Sequence, residues 1–149
     1  MEKWIRIGLL VVVVGGVIGA FVFRDRLTGA ADALAVGDCI NLPTAEEFAE
    51  VQHQPCNEPH EAEVYVVQDW ANPPETRPTE AQFEAWVTEH CLGQAFTDYV
   101  GMTYDDAAAI GAGWFSPTLA GWSDGDKEMV CYLAPVAGGK VSVSYKKAS

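Results

Sequence analysis

Thr79 to Val100, TEAQFEAWVTEHCLGQAFTDYV, reads as one long amphipathic helix, and the rest of the domain can be laid out around it. Thr79 and Gln82 have the spacing of a capping box: the hydroxyl accepts from an orphan amide of the first turn, and the glutamine reaches back. Glu80 and Glu84 sit near the positive end of the helix dipole. Phe83, Val87, Cys91 and Ala95 recur every four residues with Trp86 and Phe96 beside them, so one stripe faces a core. Gly101 can end the helix in the left-handed region.

Upstream, Asn72–Pro78 (NPPETRP) holds three prolines and reads as a loop. Glu63–Gln68 (EVYVVQ) is β-branched and aromatic on both faces, the pattern of a central, doubly covered strand. Asn57–His60 is a turn, since Pro59 disfavours helix at Glu58. Ala49–Cys56 and Ala35–Leu42 are two further expected strands. Downstream, Ala107–Phe115 reads as a strand, and Ser116-Pro117-Thr118 opens a short helix. Val130–Pro135 and Val141–Tyr145 are expected as a hairpin turning at Gly138-Gly139. The expected class is α+β: a small antiparallel sheet packed by one long helix.

The chain opens differently. Ile7–Phe23 (IGLLVVVVGGVIGAFVF) holds 17 uncharged residues. As a helix it is about 26 Å long, close to the hydrocarbon thickness of a bilayer. Lys3, Trp4 and Arg6 suit the headgroup level. Gly15, Gly16 and Gly19 form a small-residue stripe, and Gly15 with Gly19 makes a G-x-x-x-G at which another helix can approach closely. Ala33-Leu34-Ala35 resembles a signal-peptidase site, but it lies beyond Arg24 and Arg26, far from the apolar run, so an uncleaved single-pass anchor is favoured. The expected division is a cytoplasmic stub and anchor over 1–26, a tether over 27–35 and an extracytoplasmic domain over 36–149.

Charge is unevenly placed. The chain carries a net −12, yet residues 32–149 hold 19 acidic against 5 basic side chains. A domain this acidic repels phosphate backbones, which argues against nucleic-acid binding. Basic residues flank both ends of the apolar run, so orientation rests on the cysteines. Cys39, Cys56, Cys91 and Cys131 all lie beyond it, which suits an oxidising compartment outside the membrane with the N-terminus cytoplasmic. Four cysteines permit three pairings. Cys39 and Cys56 end consecutive strands, and Cys91 lies on the buried helix stripe above the strand of Cys131, so Cys39–Cys56 and Cys91–Cys131 are favoured. A zinc site with His53, His60 or His90 is disfavoured, because no C-x-x-C pair exists and oxidised sulfur does not ligate.

Several of these stretches occur together in one family. Val36-Gly37-Asp38-Cys39, the run Pro55-Cys56-Asn57-Glu58-Pro59-His60-Glu61-Ala62-Glu63-Val64, Cys91, Ser116-Pro117-Thr118, Trp122, Gly125-Asp126 and Cys131 resemble the septum formation family of actinobacterial envelope proteins. The resemblance covers about residues 36–145. It implies a link to division and brings no catalytic residue with it.

No other chemistry stands out. His60, with Glu58, Glu61 and Glu63 around it, is the best cluster. A turn histidine bonded to backbone is the first reading, and an interaction site involving His60, Glu58 and Glu61 the second. Asp124–Glu128 alternates acids but lacks the length and terminal glutamate of a calcium loop. Trp86, Trp114 and Trp122 read as core, and Trp70 as an exposed contact. No catalytic residue, cofactor, metal or small-molecule substrate is inferred. The leading expectation is a non-catalytic, membrane-anchored interaction protein that meets an envelope partner. An accessory subunit of a respiratory or transport complex, packed through its glycine stripe, is the alternative. An envelope enzyme using His60 ranks last.

Overall fold

A computed structural model describes residues 28–30, 34–43 and 50–149. Among them no helix is long and apolar enough to cross a membrane. The expected span, with Gly15, Gly16 and Gly19, lies outside the described residues.

Six strands form one sheet: β1 (Thr28–Ala30), β2 (Cys39–Asn41), β3 (Glu50–Gln54), β4 (Ala62–Asp69), β5 (Ile110–Phe115) and β6 (Glu128–Pro135). Their order is β1-β3-β2-β4-β6-β5, and every neighbouring pair is antiparallel. β1 and a buried Leu34 fall inside the stretch expected as a tether. β4 is central and covered on both faces, as its apolar run requires. A register shift between Val64 and Val66 turns Tyr65 and Val66 both toward the helical layer.

Three helices cover one face: α1 (Glu80–His90), α2 (Gln94–Val100) and α3 (Leu119–Ser123). The capping box of Thr79 and Gln82 is present. Gly101 ends α2 at φ 91°, in the region where a side chain would be strained. The helix expected over Thr79–Val100 is two helices. The amides of Cys91 and Leu92 both bond the carbonyl of Val87, and the chain turns at Gly93. Cys91 is fully buried and bonded to Cys131, which pins the end of α1 to the sheet. The turn lets α2 bring Phe96 and Tyr99 onto the same core as Phe83, Trp86 and Val87. On the opposite face Ile40, Val51, Ala62, Val64 and Val130 make a second, smaller cluster with Leu34.

The second half of the expected C-terminal hairpin is absent. Gly138 and Gly139 do adopt positive φ, but the chain does not return along β6. Of Val141–Tyr145, only Val141 joins a ladder, through an isolated bridge to His60. The remainder runs as an irregular strap, because its partners are side chains rather than a strand. The strand expected over Ala107–Phe115 begins at Ile110, since Ala107 and its neighbours form a turn in which the Ile110 amide bonds the Ala107 carbonyl.

Both disulfides have the favoured pairing: Cys39–Cys56, with Cα atoms 5.3 Å apart, and Cys91–Cys131, at 6.4 Å.

Candidate functional site

β2 and β4 place Cys39 beside Glu63 as direct cross-strand partners. His60 lies just before β4, held from both sides by backbone. Its amide and carbonyl each bond Val141 at 2.9 Å. Its ring Nδ1–H donates to the carbonyl of Glu58 at 2.8 Å. That bond selects the tautomer whose Nε2 carries a lone pair. The ring is fully buried, and Nε2 has no hydrogen-bond partner among the described residues. Ligand atoms of His60, Glu63 and Cys39 lie within 4.8 Å of one another, all three residues buried.

Glu63 is equally buried but well supplied. One carboxylate oxygen accepts from the hydroxyl of Tyr99 at 2.6 Å and that of Ser144 at 2.7 Å. The other accepts from the amide of Tyr145 at 2.7 Å. Three donors replace the water that burial takes from the carboxylate. Burial, and then the bond to Glu63, pushes the Tyr99 hydroxyl well above its ordinary pKa of 10.0. Tyr145 is shifted the same way, by burial first and Glu63 second. Further along the strap, the Lys147 amide bonds the carbonyl of Tyr99 at 2.8 Å. Glu63 therefore fastens the C-terminal strap to the middle of the sheet.

A cavity of about 330 Å³ opens between Tyr65, Tyr99 and the strap residues Lys146 and Lys147, with Asp98 on its rim. The residue types of a hydrolase triad are present nearby, but they are wired differently. Ser144 donates straight to Glu63, and no hydrogen bond joins it to His60. The arrangement binds a strap.

The other expected residues are dispersed. Glu61 is half-buried and accepts from the Leu42 amide at 2.6 Å. Glu58 supplies its carbonyl to His60. The interaction role expected for His60 does not fit a ring with no exposed surface. Trp70 is half-buried and sits among Phe83, Trp86 and Trp122, stacked on Trp86 at 5.8 Å, rather than standing at an exposed contact. Trp86 and Trp122 are buried in the core, with Trp114 packed against it. At Asp124–Glu128, Asp126 accepts from the Glu128 amide and Gly125 has φ 100°, the geometry of a tight turn. Sequence reasoning missed Tyr99, Ser144 and Tyr145. No local signal marks them, because their meeting with Glu63 spans 36 to 82 residues.

The sequence model of septum formation proteins matches residues 36–148. The chain belongs to the septum formation family. The match takes in the site and the strap together: Cys39, His60, Glu63, Tyr99, Ser144 and Tyr145 all fall within the family domain. No curated protein and no solved structure matches the chain.

Proposed function

We propose that this septum formation family member is a non-catalytic, membrane-anchored interaction protein of the bacterial envelope, linked to septum formation. The family match over residues 36–148 carries the reading. The apolar run Ile7–Phe23 supports the anchor, and the two disulfides support placement of the domain in an oxidising compartment outside the cytoplasm. The exposed face of α1 presents Glu80, Glu84 and Glu89, an acidic surface suited to a basic partner.

The test is localisation of a chain tagged at its N-terminus. Concentration of the signal at mid-cell supports the reading, and a uniform membrane signal counts against it. Digestion of intact spheroplasts tests orientation: a domain shielded from added protease refutes an extracytoplasmic position.

The glycine stripe favours a second reading, an accessory subunit of a larger membrane complex packed through the anchor. Isoleucine at Gly15 and Gly19 should then abolish co-purification of partners in mild detergent. Under the first reading the same change matters little.

A further inference from the structure

The geometry points to a redox-gated site for a zinc-type divalent metal, built from the Cys39 thiolate, His60 Nε2 and the Glu63 carboxylate. Opening of the Cys39–Cys56 disulfide completes it.

Three observations converge. The ligand atoms of Cys39, His60 and Glu63 already lie within 4.8 Å of one another, and all three residues are buried. Ligands sharing one tetrahedral zinc ion stand about 3.4–3.8 Å apart, so the three atoms need only a small contraction to share one. His60 Nε2 is a buried acceptor without a donor among the described residues. Glu63, in the same cluster, is another acceptor, and a cation between them would give Nε2 a partner. The supporting shell is also in place. Nδ1–H of His60 is held by the Glu58 carbonyl, which aims Nε2. The carboxylate of Glu63 is oriented by Tyr99, Ser144 and the Tyr145 amide. Ligating histidines and carboxylates are held in this way.

In the oxidised domain the Cys39 sulfur is bonded to Cys56 and cannot serve as a thiolate ligand. Cys56 is half-exposed whereas Cys39 is buried, so a reductant meets Cys56 first. A dithiol thiolate attacks Cys56 Sγ, the Cys39–Cys56 bond breaks, and Cys39 leaves as a thiolate. The second thiol of the reductant then displaces Cys56 and closes an intramolecular disulfide. Two electrons pass to the protein, Cys56 leaves as a thiol, and the metal enters and stays divalent. Cysteine, histidine and carboxylate are the ligand types zinc takes, and three protein ligands leave a fourth position open.

A matched pair of full-length variants under non-reducing conditions tests this, with the Cys91–Cys131 disulfide intact. Cys56→Ser leaves Cys39 as a free thiol inside the cluster. Cys39→Ser removes the same disulfide but leaves the thiol at Cys56. Each is titrated with Co²⁺ as a spectroscopic probe. Cys56→Ser should gain a thiolate-to-cobalt charge-transfer band and tetrahedral visible bands, both erased by Zn²⁺ and both lost when His60→Ala is added. Cys39→Ser should show neither. Equal spectra from the two variants, or no band from a folded Cys56→Ser, overturn the proposal. Should Cys56→Ser fail to fold by circular dichroism, the wild-type chain reduced with dithiothreitol is compared with reduced His60→Ala. A stronger charge-transfer band in the wild type supports the site, and equal bands refute it.

Discussion

Glu63→Gln isolates the charge that holds the strap. Glutamine keeps the shape of the side chain and one acceptor oxygen, which can still serve Tyr99 and Ser144. At the other position an NH₂ group now faces the Tyr145 amide, donor against donor, where a bond of 2.7 Å stood before. Leaving that part-buried amide unsatisfied costs about 1–3 kcal/mol. The bonds from Tyr99 and Ser144 fall from charge-assisted to neutral, a loss of about 1 kcal/mol each. Relief from burying a charge offsets part of this, so the net destabilisation is about 2–4 kcal/mol. Ser144→Ala removes the bond to Glu63 and the one accepted from the Lys146 amide, both at an exposed residue, and should cost about 1 kcal/mol or less. Urea denaturation with both disulfides intact measures the two values, and amide exchange at Tyr145 and Lys147 reports whether the strap has lifted. If Glu63→Gln costs less than Ser144→Ala, or leaves exchange at Tyr145 unchanged, the carboxylate is not the fastening and the reasoning fails.

Other consequences are open to measurement. Burial raises the hydroxyls of Tyr65 and Tyr99 above their ordinary 10.0. Their neutral forms favour the folded state, so this stability is fully present below pH 10 and drains away as pH rises beyond it. Absorbance at alkaline pH should show these tyrosines ionising only as the domain unfolds; ionisation of all five at an ordinary pH would contradict it. A Cβ on Gly113 would overlap the Tyr132 ring, so Gly113→Ala should cost about 1–3 kcal/mol. Tyr132→Ala in the same chain should recover part of that loss in a double-mutant cycle. The disulfides close loops with sequence separations of 40 and 17. Alanine at Cys91 and Cys131 should therefore destabilise by about 4 kcal/mol, against about 3 kcal/mol at Cys39 and Cys56. Equal denaturation midpoints would show that loop length does not set the difference.

What could be read from the sequence was local. The Thr79–Gln82 capping box and the Gly101 cap depend on residues a few positions apart, and both stand as expected. The disulfide pairing was legible because a strand end and a helix stripe each leave a cysteine few directions in which to point. Gly93 was harder to judge. An isolated glycine is tolerated in helices, and only the tie from Cys91 to β6 shows why the chain turns there. Val141–Tyr145 alternates like a strand, yet its partners are Glu63 and His60 rather than β6. His60 was visible as a residue type. Its burial and its unpartnered nitrogen were not, because both depend on Val141 arriving from the far end of the chain.

The strap also has a bearing on the order in which the molecule comes into being. Synthesis delivers the N-terminal segments first, and the carboxylate of Glu63 then waits 82 residues for the amide of Tyr145. Until those last residues emerge, a buried charge at the centre of the sheet lacks two of its three donors, so the domain cannot lock early. A chain cut short before Ser144 would carry every cysteine and every strand and still lack its closure.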